Sequence, residues 1–96
     1  MLENKYPTPH AQVATRVVDD AAVIVLADSG TVQVLDEVGT RVLELMDGSR
    51  TVAEIAHAIE QEYDVSFEQA ARDVEELTQK LLDARAIVLT DARGGT

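Results

Sequence analysis

Apolar residues follow two different spacings along the chain. Between Val13 and Leu35 they come in short β-branched runs, and from Val38 to Leu82 they recur every three or four positions. The first spacing predicts strands and the second predicts helices. Val13 to Val18 (VATRVV) reads as a first strand, with Asp19-Asp20 as the turn after it. Ala21 to Ala27 (AAVIVLA) is apolar on both faces, as in a central strand. Asp28-Ser29-Gly30 forms a second turn, in which Gly30 is free to take positive φ. Thr31 to Leu35 (TVQVL) is a short third strand, with Val32 and Val34 on one face and Thr31, Gln33 and Leu35 on the other. Tight turns between consecutive strands predict an antiparallel meander with the third strand at an edge.

Two amphipathic helices follow in the stretch Leu35 to Ile59. Asp36 is placed to cap the first, and Gly48 to end it in the left-handed region. Thr51 caps the second, and Thr51 with Glu54 makes a T-x-x-E capping box. Val38, Val42, Leu45 and Met46 line one side of the first helix; Val52, Ile55, Ala56, Ile59 and Tyr63 line the second. Ser66 starts a third helix, with Ser66 and Gln69 spaced as a second capping box and Val65 with Ala70 as a hydrophobic staple. This helix runs to about Ala84, and Ala86 to Thr90 (AIVLT) reads as a small terminal strand.

The third helix is apolar over an unusually wide arc. Steps of 100° put Phe67, Val74, Thr78 and Leu81 at its centre, with Ala70, Leu77 and Ala84 extending one flank and Ala71 and Leu82 the other. Two arrangements accommodate such an arc. Either the helix packs deeply beneath the terminal strand, or the Leu77 flank, bordered by Asp73 and Lys80, faces a groove.

These elements make an α+β, winged-helix-like domain over residues 12–90, a three-stranded antiparallel sheet followed by three helices. Residues 1–11, with Pro7 and Pro9 and no periodicity, read as a flexible arm, and residues 91–96 as a disordered tail. At 96 residues and 46% hydrophobic content the chain supports one modest core, built from aliphatic side chains because only 3% of residues are aromatic. No apolar run is long enough to span a membrane, and the N-terminus lacks signal-peptide character. The absence of cysteine excludes disulfides, thiol nucleophiles and Cys-based metal sites, and fits a reducing cytoplasm.

The net charge of −10 repels nucleic acid and anionic lipid. The third helix and its end carry Glu68, Asp73, Glu75, Glu76 and Asp83 against Arg72, Lys80 and Arg85, the wrong sign for a DNA-recognition helix. No chemistry-bearing motif emerges. Glu54-Ile55-Ala56-His57 is a single E-x-x-H where a di-iron bundle needs two, and His57 lies off the apolar face. Glu75 and Glu76 read as a solvated face rather than an acid/base pair. Ser29 has no histidine to activate it, and its turn context differs from the Asp-Ser-Leu helix start of a carrier protein. No glycine-rich phosphate loop is present. An edge strand beside an apolar helix flank instead suits an extended peptide, held by backbone hydrogen bonds on one side and side-chain pockets on the other. A short edge covered by the N-terminal arm is the alternative.

One family shares this pattern. Val32-x-Val34-Leu35-Asp36-Glu37-x-Gly39, the run Val42 to Gly48, Arg50-Thr51-Val52-x-Glu54-Ile55-Ala56, Tyr63-Asp64-Val65, Asp73-Val74-Glu75-x-Leu77 and Leu81-Leu82 together resemble the PqqD family of small peptide chaperones, also called RiPP recognition elements. The resemblance spans about residues 10 to 90. It departs from the family at Thr31, Val32 and Gln33, where many members place aromatic residues.

The resemblance implies a non-catalytic adaptor without cofactor. Such a protein binds the leader segment of a ribosomally made precursor peptide and presents it to a maturation enzyme: a radical-SAM enzyme, a cyclase or a leader protease. It also implies the contacts, Thr31, Val32, Gln33, Val34 and Leu35 on the strand and Asp73, Val74, Leu77 and Leu81 on the helix. The helical wheel adds Lys80, positioned to offset an acidic leader residue. The rival expectation is a winged-helix regulator or interaction subunit that uses the same groove for a protein partner.

Overall fold

The computed structural model describes residues 4–10, 13–19, 21–26 and 32–91. Among them the chain forms β1 (Tyr6–Pro9), β2 (Val13–Val18), β3 (Ala21–Leu26), β4 (Val32–Val34), α1 (Glu37–Leu45), α2 (Val52–Glu62), α3 (Phe67–Asp83) and β5 (Ile87–Thr90). Strands β2, β3 and β4 make the expected antiparallel meander. Val23 faces Val34 and Val25 faces Val32 across the β3–β4 ladder. The expected turn Asp28-Ser29-Gly30, and Thr31 at the start of the third predicted strand, lie outside the described residues.

The sheet packs its Ala22 and Ile24 side onto the helices, and its opposite face leaves Val25, Val32 and Val34 exposed. Helix stripes fill the rest of the core: Val42, Leu45 and Met46 from α1 and its end, Val52, Ile55 and Ile59 from α2, Val74 and Leu81 from α3. Burial of an aliphatic side chain of this size contributes about 1.5–3 kcal/mol.

The caps form largely as the sequence predicts. Asp36 accepts from the Gly39 amide at 2.8 Å. Thr51 and Glu54 close their capping box in both directions, at 3.1 and 2.8 Å. Gly48 sits at φ 84°, where a Cβ is strained. Ser66 accepts from the Gln69 amide at 3.2 Å, but the Gln69 side chain does not return to it. It donates instead to Asp73 one turn on, at 2.9 Å.

The N-terminal arm is the element the sequence misplaced. Tyr6–Pro9 is a strand, paired antiparallel with β5 from Tyr6 opposite Thr90 to Pro9 opposite Ile87. The physical reason lies in which edge each residue serves. The carbonyls of Lys5 and Pro7 face away from β5 and accept the amides of Val52 and Gly48, each at 3.0 Å. Alternate residues share an edge, so both prolines fall on the side where the β5 ladder requires no N–H. His10, of the other parity, donates to Ala86 at 2.8 Å. A Lys5–Asp91 ion pair extends the clamp. The described part of the arm therefore covers β5 rather than β4.

Candidate functional site

Helix α3 presents two neighbouring stripes. Ala70, Val74, Thr78 and Leu81 form the buried one, and the Thr78 hydroxyl is satisfied within the helix by the Val74 carbonyl at 2.6 Å. Asp73, Glu76, Leu77 and Lys80, spaced three or four apart, form the next stripe and line a groove of about 560 Å³. A groove of this volume falls in the range of ligand pockets. Val34, Leu35 and Asp36 close it where β4 runs out, and Val38, Gly39 and Val42 supply the α1 wall. Ile59, Tyr63 and Val65 contribute from the end of α2 and the connection beyond it.

Gly39 sets how closely these walls meet. A Cβ there would stand 3.3 Å from the Leu35 Cβ and 3.7 Å from the Leu77 Cδ2. The Asp36 carboxylate is held at the groove's edge by its bond to the Gly39 amide. Burial, with the nearby carboxylates of Glu37 and Glu62, pushes the Tyr63 phenol above its ordinary pKa. Behind the groove, Arg41 reaches Glu62 with two hydrogen bonds of 2.7 and 3.0 Å. They hold the Glu62 carboxyl below the ordinary carboxylate range and raise the guanidinium further.

Strand β4 has β3 as its one neighbour among the described residues; the Leu35 amide bonds Ala22, so by alternation the Gln33 backbone also faces β3 and the backbone groups of Val32 and Val34 face the other edge. Val32 and Val34 are 56% and 67% exposed. Gln33, on the opposite face, is half-buried, and its Oε1 has no hydrogen-bond partner among the described residues.

The residues singled out in the sequence divide three ways. Val34, Leu35, Asp73, Leu77 and Lys80 come together around the groove. Val32 and Gln33 lie on the strand beside it, and Thr31 lies outside the described residues. Val74 and Leu81 are a correction: both are 0% exposed and belong to the core, because they lie on the α3 stripe that faces α2 rather than on the Leu77 flank. The α1 wall and Tyr63 were missed. Gly39 was the available signal, since glycine inside a helix is unfavourable unless something packs close.

Among the described residues no group of three His, Asp or Glu side chains is placed to hold a metal ion. His57 is exposed and stacked on Phe67, with centroids 4.3 Å apart, and its Nδ1 is 3.5 Å from Glu60. No described helix is long and apolar enough to cross a membrane.

The family model for coenzyme PQQ synthesis protein D (PqqD) matches residues 21–87. The chain belongs to the PqqD family. That span holds β3, β4, all three helices and every described lining residue of the groove. Two solved structures resemble this PqqD-family chain. TbiB1 in complex with the TbiA(beta) leader peptide is 28% identical with a TM-score of 0.76, and the match covers 83% of this chain and 93% of that one. Lasso peptide synthetase B1 complexed with the leader peptide is 18% identical with a TM-score of 0.77, covering 86% and 98%, a likeness of fold alone. No curated protein matches the chain in sequence.

Proposed function

We propose that this PqqD-family protein is a non-catalytic adaptor for the leader segment of a ribosomally made precursor peptide. The leader adds as a strand to the open edge of β4 and seats its side chains in the groove against α3. The protein then presents the bound peptide to a maturation enzyme: a radical-SAM enzyme, a cyclase or a leader protease. The observation that carries this reading is the juxtaposition of an edge strand, whose Val32 and Val34 backbone groups face no other strand among the described residues, and a groove walled by Leu35, Asp73, Leu77 and Lys80. Strand addition needs both parts, backbone pairing for affinity and pockets for alternate side chains. TbiB1, a 28% identical relative of the same fold, is solved with a leader peptide. Neither strand addition nor presentation requires a catalytic group, and both suit the cytoplasm, where ribosomal peptides are made.

Titration calorimetry with synthetic leaders, taken from small open reading frames beside the gene, tests this reading. The expected result is binding in the micromolar range or tighter. Val32→Pro, at the first residue of β4, removes an N–H that faces the open edge, so affinity should fall in a folded variant. Unchanged affinity in that variant would overturn strand addition. Failure of every neighbouring leader to bind would favour a protein partner in the same groove.

A further inference from the structure

The groove has a sign. Three carboxylates line it, those of Asp36, Asp73 and Glu76, against the single ammonium of Lys80, leaving two net negative charges around an apolar floor. None of the three acids is ion-paired among the described residues. Asp36 takes the neutral Gly39 amide, and Asp73 takes the neutral side-chain amide of Gln69. Arg41, behind the groove, is already occupied by Glu62 and Glu44. The rise of the Tyr63 phenol has the same origin in part, since Glu37 and Glu62 add to the negative potential at the groove wall.

Resting on the leader-binding reading, we infer that this groove selects peptides carrying a lysine or arginine beside the apolar side chain that seats against Leu77. A concave surface with low-dielectric walls focuses the field of its charges, so the excess of Asp36, Asp73 and Glu76 over Lys80 acts on the peptide more strongly than scattered surface acids do. The spacing suits a strand. Asp73, Glu76, Leu77 and Lys80 follow one another along one helix stripe, so a peptide laid along it meets two acids beside the apolar wall within about two turns. Peptide residues two apart point to the same face, which lets one enter the Leu77 wall while its neighbour on that face reaches a carboxylate. Lys80 alone would favour an acidic leader residue, but the carboxylates sharing its groove outweigh it. Charge match of this kind sets which partner is chosen and how fast it arrives, more than total affinity.

The test is selection without a known leader. A phage library of random peptides of about 12 residues, long enough for one strand and its flanks, is panned on the full chain and counter-selected on Val32→Pro and on Leu77→Ser. Both variants are first checked for folding by circular dichroism. Recovered peptides are synthesised with each lysine or arginine as found, as glutamine and as glutamate, and titrated by fluorescence anisotropy against the native chain and against the Asp73→Asn, Glu76→Gln double variant. Asp36 is left alone because it caps α1. The expected result is enrichment of cationic peptides and a loss of about 5-fold on neutralising the cation, the upper range for a solvent-screened ion pair. That difference should shrink at high salt and vanish in the double variant. Neutral or acidic peptides that still depend on the Val32 N–H and on Leu77, with no salt dependence, would overturn the charge inference and leave strand addition standing. Peptides that bind the native chain and both groove variants alike would overturn leader binding itself, and this inference with it.

Discussion

The amide of Ala22 donates to the hydroxyl of Thr40 across 2.7 Å, joining the start of β3 to the middle of α1 in the core. The same hydroxyl reaches the Leu35 carbonyl at 3.4 Å, and the Leu35 amide returns to the Ala22 carbonyl at 2.8 Å. One buried threonine thus fixes the first helix relative to the strand exit that closes the groove.

Thr40→Val keeps the shape and removes this link. It leaves the Ala22 amide buried without a partner, which costs about 1–3 kcal/mol. The melting temperature should fall by roughly 4–8 °C for each kcal/mol lost in a domain of this size. A variant melting with the native protein would mean that the Ala22 amide finds another acceptor.

Gln33→Leu tests the orphaned Oε1 on β4. Replacing a buried, unsatisfied amide by an apolar side chain of similar volume should stabilise the fold by about 1 kcal/mol. Because the open-edge N–H groups of Val32 and Val34 are kept, peptide pairing should survive, in contrast to Val32→Pro. A thermal melt and one peptide titration read both effects.

Leu77 and Leu81 lie four residues apart on α3 and should behave oppositely. Leu81 is 0% exposed, so Leu81→Ala should destabilise the fold by about 2–5 kcal/mol. Leu77 is half-buried at the groove wall, so Leu77→Ala should cost less stability but lower peptide affinity by about 10-fold or more. Chemical denaturation together with titration separates the two, and equal stability losses would place Leu77 in the core.

The Arg41–Glu62 pair should make stability pH-dependent. The hydrogen bonds from Arg41 hold the folded-state pKa of Glu62 below its unfolded value. Its contribution is therefore complete above the ordinary glutamate pKa of about 4.3 and fades as pH falls through the lower folded value. Both side chains are more than a third exposed, so solvent screening limits the contribution to about 1 kcal/mol or less. The melting-temperature gap between native protein and Glu62→Gln should be a few degrees near neutral pH and close as pH falls through the lowered Glu62 value. A gap independent of pH would assign the difference to packing.

Local chemistry made most of this fold legible in the sequence. Thr51 with Glu54, and Asp36, each act within a few residues and do what their type and spacing imply, whereas Gly48 takes the expected left-handed φ but gives its amide to Pro7 beyond a helix already capped at Met46. The Leu77 flank followed from periodicity alone, and Asp73 and Lys80 border it as expected. What was hidden depended on distant partners. Pro7 and Pro9 signal irregular backbone until the opposite strand, some 80 residues later, shows that their missing N–H groups face the other edge. Val74 and Leu77 are both apolar on one helix, and only the position of α2 decides which is core. Gln69 had two partners at helix spacing, Ser66 behind and Asp73 ahead, and the sequence does not rank them.

The β1–β5 clamp sets where this unit can be joined to others. With Tyr6 opposite Thr90 and Lys5 paired to Asp91, the chain enters and leaves the described domain side by side. None of the groove's described lining residues lies in either strand. A domain fused at either end would be joined through a strand that contributes no described lining residue to the groove. It would also meet the captured peptide at the millimolar effective concentration of a short flexible tether, so that even a weak enzyme–substrate contact would suffice for processing.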